Sequence, residues 1–338
     1  MNEADVSEEA AVLAFLADPH SYPDQPEHVE AIETHMSRVF LAGDRVYKLK
    51  KPIRLSFLDY TTLDSRRQSC ERELQLNRRL APSVYLEVLP LVRRADGTLA
   101  LGGEEKPIEW VLVMRRLSTE RLLQEAIRNG EIAPKDIEAI CDALGSFYAE
   151  VTPIHCPESE FRESWRTLIE LVERSLSDPQ FALPADEVRK VTESLSSFLE
   201  RKWHLIASRL SGGRIVDGHG DLRPEHIHLG PPVRIIDRLE FDDRLRRTDP
   251  FDELSFLALE CGMLGAKWVG ERLIDGVSTR LNDRPPDELL RFYRSYRAAL
   301  RARLTIEHLR DPAPRTPERW PRLARAYLRI ALQHAAQS

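Results

Sequence analysis

The chain has 338 residues, of which 42% are hydrophobic and 31% are charged, and its formal net charge is −6. This composition is typical of a globular protein large enough for one large domain or two smaller ones, and the acidic balance argues against nucleic-acid binding. The N-terminus is acidic where an export signal would be basic and then apolar, and no apolar run approaches the roughly 18 residues that span a bilayer. We therefore expect a cytoplasmic protein without a membrane or nucleic-acid partner.

The cysteines agree with that expectation. Cys70, Cys141, Cys156 and Cys261 lie far apart, and none belongs to a Cys-x-x-Cys pair. Such spacing predicts reduced thiols, and it is not that of a disulfide framework or a zinc site.

The chain begins with a predicted amphipathic helix over residues 7–17, part of an N-terminal helical extension that covers residues 1–19. After a polar loop the pattern changes to short β-type runs over 29–34, 38–43 and 45–50, separated by residues suited to tight turns. The change in pattern predicts the start of a sheet.

The same region continues with one helix and two more strands. A helix is predicted over 62–80, and strands over 84–93 and 108–117. Residues 20–117 are therefore expected to form a mainly antiparallel sheet that carries one long helix.

The remaining residues, 118–338, are nearly all predicted helix. The exceptions are two short apolar β-like runs, 214–221 and 233–241, on either side of a loop. The predicted fold class is α+β, with a small β-rich N-terminal lobe and a larger, mainly helical C-terminal lobe.

Three motifs follow one another in this C-terminal region. Residues 219–226, HGDLRPEH, are similar to the phosphotransferase loop H-G-D-L-x-P-x-N, with a histidine in place of the final asparagine. Asp237 follows Asp221 by 16 positions, at the end of an apolar run. Residues 249–252, DPFD, are similar to the segment G-D-P-x-x-D-L-A.

A lysine and a glutamate in the first part of the chain, Lys48 and Glu73, add a fourth feature. With these motifs in this order, the chain resembles the aminoglycoside phosphotransferase-like family of the protein-kinase-like superfamily over about residues 29–310. One such motif is weak evidence, whereas four in order are a specific signal.

The resemblance implies a two-lobed protein-kinase-like fold, in which the sheet of residues 20–117 binds the nucleotide and residues 118–338 hold the catalytic loop and the acceptor site. It also implies an ATP-dependent phosphotransferase, with GTP as the alternative nucleotide. The enzyme would move the γ-phosphoryl group to a hydroxyl of a small molecule, with Mg²⁺ or alternatively Mn²⁺. The implied site residues are Asp221 and Arg223 for catalysis, Lys48, Glu73, Ser37 and Met114 for nucleotide binding, and Asp237 and His226 for the metal.

The chemistry of the loop supports these roles. Asp221 is suited to accept the proton of the attacking hydroxyl, and Arg223 to neutralise charge on the γ-phosphate. A turn-capping aspartate is the alternative for Asp221, and a salt bridge to Asp221 or Glu225 is the alternative for Arg223. His219 is expected to hold the loop through a backbone carbonyl.

Strand periodicity bears on the nucleotide-binding lysine. Alternation places Val46, Lys48 and Lys50 on one face of their strand. A lysine two residues after a branched apolar one matches the kinase-like pattern, which favours Lys48. Lys50 remains the alternative, and a solvated basic edge is the non-functional reading of both.

Helical periodicity bears on the glutamate. Cys70, Glu73 and either Leu76 or Asn77 share one face, whereas Glu71 lies on the solvated side. A carboxylate on the inward face requires a cation, and the lysine of the preceding strand is the candidate.

The turn that would cover the phosphates, within residues 33–40, has no glycine. Backbone N–H groups and the Ser37 hydroxyl are candidates for the same role.

His226 is the departure from the family pattern. It either ligates Mg²⁺ or Mn²⁺ in place of asparagine, or supports the loop while Asp237 and water hold the metal, or marks a degenerate site. A metallohydrolase site built from His219, His226, His228 and Asp221 is disfavoured, because it leaves the lysine–glutamate pair unexplained.

The acceptor is much harder to read. Candidate regions are 153–213 and the late helix 286–309, which carries a stripe of aromatic and basic residues: Tyr293, Tyr296, Arg297 and Arg301. The stripe is expected to pack against a neighbouring helix and to pair with surface acids, and binding of an anionic or sugar-like group is the alternative. No protein partner is indicated.

The alternative function is a catalytically weak, pseudokinase-like nucleotide-binding module that regulates a partner. A protein kinase is disfavoured, since no activation segment is recognisable after Asp237.

Overall fold

The computed structural model describes residues 3–55, 58–311, 314 and 316–336. The chain divides into two compact units. Unit 1 comprises Met1–Glu125 and Glu225–Asp243, and unit 2 comprises Ala126–Pro224 and Arg244–Ser338.

These compact units are bounded differently from the predicted domains 1–19, 20–117 and 118–338, which stay a prediction. Residues 1–19 lie within unit 1. The first segment of unit 1 ends inside a helix, at Glu125, and the segment Glu225–Asp243 returns to unit 1. That segment returns because its backbone bonds to earlier elements: the Ile235 N–H donates to the Leu80 carbonyl, for example, and the Leu229 N–H to the Arg121 carbonyl.

The first elements in chain order are α1 (Glu3–Ala17), β1 (Val29–Glu33), β2 (Ser37–Ala42), β3 (Arg45–Lys50), β4 (Arg54–Leu55), β5 (Leu58–Asp59), α2 (Leu63–Asn77), β6 (Tyr85–Arg93), β7 (Leu99–Leu101), β8 (Pro107–Arg115) and α3 (Leu123–Asn129). The predicted helices and strands of this region are all present. The first helix begins at Glu3, earlier than the predicted residue 7, and β4, β5 and β7 were not predicted. These three strands have only two or three residues each, too few for a period to be visible.

Six strands of unit 1 form one antiparallel sheet in the order β1-β2-β3-β8-β6-β7. One face carries a core to which α1 contributes Val12 and Leu16, and β3 contributes Tyr47 and Leu49. The N-terminal helix is therefore an integral part of the core of unit 1, because its apolar stripe covers one face of the sheet.

The other core of unit 1 contains Cys70 of α2 and Leu112 of β8. Since side chains alternate along a strand, Lys48, which lies between Tyr47 and Leu49 on β3, projects to this second face. Lys48 is directly opposite Leu112 in the register of β3 with β8. The predicted alternation along β3 is confirmed.

A β-bulge decides where the first residue of β6 points. The register of β6 with β8 shifts between Tyr85 and Glu87. In a regular strand Tyr85 would share a face with Leu89, which packs in the core on the α1 side. The bulge reverses the alternation, so Tyr85 lies in the core on the α2 side, where Val88 also packs.

The later elements are α4 (Pro134–Glu150), α5 (Glu158–Leu176), α6 (Ala185–Arg201), α7 (Trp203–Ser211), β9 (Val216–Asp217), β10 (Ile227–His228), β11 (Arg234–Ile235), β12 (Arg247–Thr248), α8 (Pro250–Met263), α9 (Lys267–Leu281), α10 (Asp287–Ile306) and α11 (Arg319–Ala335). Unit 2 is mainly helical, as predicted. The β-like runs are shorter than expected, and they do not pair with each other: β9 pairs with β12, and β10 with β11.

Two smaller expectations can be compared with the fold. All four cysteines are free thiols. Among the described residues, no helix is long and apolar enough to cross a membrane.

Candidate active site

The centre of unit 1 is a charged triad formed by Lys48, Glu73 and Asp237. Lys48 Nζ donates to Glu73 Oε1 at 2.7 Å and to Asp237 Oδ1 at 3.2 Å. Glu73 is only 1% exposed, whereas the Asp237 side chain is 50% exposed. The expected pairing of Lys48 with Glu73 is present, and the lysine joins a buried carboxylate to an accessible one.

The charges of the triad stabilise one another. Burial disfavours the charged form of Lys48, but Asp237 and then Glu73 outweigh this effect and raise the pKa of the lysine well above its usual value. Lys48 is the main reason why the pKa of Asp237 is lowered from its usual range. The triad therefore holds an ammonium and an accessible carboxylate, both ionised, throughout the neutral pH range.

The alternative lysine, Lys50, also bonds to Glu73. Its Nζ donates to Glu73 Oε2 at 2.5 Å and to Glu240 Oε1 at 2.5 Å, and its side chain is 2% exposed. The two oxygens of Glu73 are thus held by two different lysines. Each lysine thus has two carboxylate partners, and Lys48 is better placed to meet a ligand because its side chain is 15% exposed whereas that of Lys50 is 2% exposed.

His226 lies at the far side of the Asp237 carboxylate. Its Nε2 is 3.5 Å from Asp237 Oδ2, and the side chain is almost completely buried. The backbone carbonyl of His226 accepts the Ile236 N–H at 2.9 Å, which ties the residue to the segment that precedes Asp237. The two candidate metal ligands are therefore brought together.

The other two candidate nucleotide-binding residues lie on the sheet of unit 1. Ser37 is buried at the start of β2, and its N–H donates to Thr34 Oγ1 at 3.0 Å, so this N–H is already committed within the turn. Met114 of β8 is half-buried and packs against the core that contains Tyr85. A phosphate-binding role for Ser37 and a nucleotide contact for Met114 remain predictions.

The loop residues Asp221 and Arg223 belong to unit 2. Arg223 Nη2 lies 3.0 Å from Asp221 Oδ2, and both side chains are partly exposed. The salt-bridge alternative for Arg223 is therefore present in this structure. His219 is fully buried, and its Nδ1 accepts the Asp221 N–H at 3.3 Å, so it supports the loop through a backbone contact.

Glu253 of α8, which was not among the predicted site residues, anchors this loop. Its carboxylate accepts the His219 N–H at 3.0 Å, the Gly220 N–H at 2.5 Å and the Tyr148 hydroxyl at 2.8 Å. Burial raises its pKa even though these donors oppose the shift. Glu253 occupies the last acidic position of the D-P-x-x-D pattern, so closer attention to that motif would have identified it.

We expect Glu253→Gln to loosen the loop. The amide replaces one acceptor oxygen by an N–H donor that faces the buried N–H of Gly220 or His219, which costs about 1–3 kcal/mol. Chemical unfolding should show this loss, and hydrogen exchange at residues 218–221 should become faster. Glu260→Gln is the matched control, because Glu260 is also a buried acid on α8 but bonds to Tyr327 and Arg301. Equal exchange of the loop in both variants would contradict the assignment.

The acids of residues 249–252 bind arginines and have no role in an open site. Asp249 pairs with Arg209 at 2.6 Å, and Asp252 pairs with Arg297 at 2.6 Å. Both aspartates are buried. They tie the N-terminus of α8 to α7 and α10.

The aromatic and basic stripe on α10 is likewise part of the packing of unit 2. Tyr293 and Tyr296 are buried, Arg297 pairs with Asp252, and Arg301 pairs with Glu260. The expectation that the stripe packs against neighbouring helices is confirmed, with buried acids as partners where surface acids were expected.

Within the described ranges, no group of three or more His, Cys, Asp or Glu residues is arranged to hold a metal ion. The histidines of the loop are accordingly not gathered into such a group.

The sequence has known relatives. No protein-family model matches it. It is 33% identical over 325 residues to an uncharacterized protein of Mycobacterium tuberculosis (strain H37Rv), an alignment that covers 94% of this chain and 61% of the relative. The chain thus spans about three-fifths of the length of the curated relatives it matches.

Solved structures show the fold. A choline/ethanolamine kinase family protein from Mesorhizobium loti superposes with a TM-score of 0.55 and 15% identity, covering 97% of this chain and 100% of the other. The second structure is a thermostable mutant of an aminoglycoside phosphotransferase, in a ternary complex with AMP-PNP and hygromycin B. It superposes with a TM-score of 0.54 and 13% identity, covering 97% of this chain and 99% of the other. The chain therefore has the same mixed α and β fold as these kinase and phosphotransferase structures, with a β-sheet part and a larger helical part.

Proposed function

We propose that this protein is a phosphotransferase that moves the γ-phosphoryl group of ATP to a hydroxyl of a small molecule, with a divalent cation. The observation that carries the proposal is the triad: Lys48 bonds at once to buried Glu73 and to accessible Asp237. A cation beside an accessible carboxylate is what a nucleotide triphosphate with its metal requires. GTP is the alternative nucleotide.

The Asp237 carboxylate is a donor that suits Mg²⁺. This ion binds through one or two carboxylates together with substrate phosphates and water, and it does not need a complete protein cage. In our proposal Asp237 would be the essential ligand of the cation and His226 the auxiliary one, and the cation would supply positive charge beside the phosphates. Lys48 binds a phosphate, Glu73 orients Lys48, Asp221 accepts the proton of the acceptor hydroxyl, and Arg223 counters the developing charge.

Nucleotide binding and transfer can be tested in turn. Thermal unfolding should be measured with ATP and GTP at millimolar concentration, with and without Mg²⁺, followed by a screen of hydroxyl acceptors in a γ-phosphoryl transfer assay. A nucleotide-dependent stabilisation that increases with Mg²⁺ is the expected result. No stabilisation by either nucleotide would refute the proposal.

The alternative is a nucleotide-binding module with little turnover. It is favoured by His226 in place of asparagine and by the ion pair of Arg223 with Asp221. This alternative predicts nucleotide binding without phosphoryl transfer, and an Asp221→Asn variant that binds nucleotide as the wild type does.

We expect His226→Asn to change the metal preference. An imidazole nitrogen suits Mn²⁺ better than Mg²⁺, whereas an amide oxygen suits the harder ion. The ratio of the half-saturating concentrations of Mg²⁺ and Mn²⁺ should therefore fall several-fold in the variant. His228→Asn is the control, since His228 is buried to the same extent two residues later. An unchanged ratio in His226→Asn would mean that the imidazole only supports the loop.

A further inference from the structure

The backbone of Asp237 has an unusual conformation. Its φ angle is 64°, in the left-handed region that residues with a side chain rarely adopt. Such a conformation persists where neighbouring groups impose it, and it is commonest at functional sites.

Two side chains impose it here. The Asp237 N–H donates to the hydroxyl of Tyr85 at 3.0 Å. The Arg238 N–H donates to Asn77 Oδ1 at 2.8 Å, and Asn77 Nδ2 donates in return to the Arg238 carbonyl at 3.2 Å. The φ and ψ angles of Asp237 set the orientations of the peptide groups before and after its Cα atom. The first group carries the Asp237 N–H and the second carries the Arg238 N–H, so hydrogen bonds to both N–H groups fix the backbone conformation of Asp237.

Both side chains are themselves held in place. Asn77 is 0% exposed and Tyr85 2% exposed. Asn77 Nδ2 also donates to the Glu73 carbonyl at 3.0 Å, which sets the orientation of the amide. The hydrogen bonds of Asn77 are buried, so water cannot replace them, and the buried Tyr85 side chain holds its hydroxyl in place.

Packing alone does not explain the two residue types. Phenylalanine would fill the position of Tyr85, and leucine would continue the inward face of α2 at Asn77. The hydroxyl and the amide add acceptors where the chain turns at Asp237, and the β-bulge of β6 brings the tyrosine to that side of the sheet.

We propose that Tyr85 and Asn77 are positioning residues of the metal site. Together they form a clamp that holds Asp237 in the left-handed conformation, with its carboxylate directed at Lys48 and His226. The inference rests on the proposed function, because it takes Asp237 to be the metal ligand. It predicts that loss of the clamp weakens the response to the metal while the affinity for metal-free nucleotide is retained.

The test compares Tyr85→Phe with Tyr22→Phe in the full chain. Both changes remove one buried hydroxyl from unit 1, but that of Tyr22 donates to the Leu16 carbonyl. In a Mn²⁺ titration with AMP-PNP, Tyr85→Phe should raise the half-saturating Mn²⁺ concentration about tenfold, as expected for one lost hydrogen bond. The affinity for AMP-PNP without metal should change less than twofold. Tyr22→Phe should leave both values unchanged, and the two variants should lose similar thermal stability.

Hydrogen exchange gives a second measurement that needs no ligand. The segment 236–239 should exchange about tenfold faster in Tyr85→Phe than in the wild type, and at the wild-type rate in Tyr22→Phe. Asn77→Ala should act in the same direction, and if that variant does not fold, the isosteric Tyr85→Phe decides alone.

The outcomes separate the two proposals. Absence of metal-dependent AMP-PNP binding in the wild type refutes the proposed function. Equal exchange at 236–239 in Tyr85→Phe and Tyr22→Phe refutes the clamp, whatever the wild type binds. Faster exchange with an unchanged Mn²⁺ requirement refutes the link between the clamp and the metal.

Discussion

Asp237→Asn is expected to abolish the metal-dependent part of nucleotide binding and to lower phosphoryl transfer roughly a hundred- to thousandfold. A bound cation supplies several kcal/mol of charge stabilisation, and each 1.4 kcal/mol corresponds to about a factor of ten in rate. Asparagine is preferable to alanine as the replacement, because it tolerates the left-handed conformation at φ 64°. The substitution therefore removes the charge without forcing the backbone to move.

The control for this variant is Asp243→Asn. Asp243 lies in the same returning segment and pairs with Arg72 on the surface of unit 1. It should leave the response to Mg²⁺ unchanged. Isothermal titration with AMP-PNP at several Mg²⁺ concentrations measures the effect. If Asp237→Asn keeps the wild-type Mg²⁺ dependence, Asp237 is not the metal ligand.

Local periodicity predicted a lysine–glutamate pair with Glu73, and the kinase-like pattern selected Lys48 over Lys50, although both lysines bond to Glu73. Strand alternation places the lysine on one face, and helical spacing places the glutamate on the inward side of α2. Both patterns extend over fewer than ten residues, so they can be read without knowledge of the fold. The inward position next along the helix, left open between Leu76 and Asn77, is occupied by Asn77.

Contacts between distant segments were not predictable in this way. Lys50 bonds to Glu240, 190 positions later, and Asn77 bonds to Arg238, 161 positions later. Nothing in the immediate neighbourhood of these residues indicates the partner. The face of the sheet on which Tyr85 lies depends on a β-bulge. The one extra residue of the bulge moves the side chain before it to the opposite face, and the sequence pattern does not show where a bulge occurs.

The motif at residues 249–252 shows how a correct resemblance can direct attention to the wrong residue. Asp249 and Asp252 are the conspicuous acids, and both are neutralised by buried arginines. The acid that contacts the loop is Glu253, which is inconspicuous because glutamate replaces the aspartate of the pattern. The motif marks the position of Glu253, but only the structure shows that this buried carboxylate accepts the backbone N–H groups of His219 and Gly220.

Asp221→Asn should lower phosphoryl transfer roughly 10²–10⁴-fold, the usual contribution of a general base, and should leave nucleotide affinity within twofold of the wild type. Asparagine has nearly the same shape and still accepts a hydrogen bond from Arg223, but its oxygen cannot take the proton of the hydroxyl. The nucleotide is bound, in our proposal, by Lys48 and the metal at Asp237, and neither is altered.

The matched control for this change is Asp217→Asn. Asp217 is an acid on the strand that leads into the same loop, and it bonds to Arg246 at 2.7 Å. It should lose stability but retain transfer. Measurement of single-turnover phosphoryl transfer together with AMP-PNP affinity separates a loss of transfer from a loss of nucleotide binding. Full transfer in Asp221→Asn would remove the general base from the mechanism. If the wild type and Asp221→Asn both bind nucleotide but neither transfers phosphate, the protein is better described as a nucleotide-binding module, because Asp221 then has no reaction to assist.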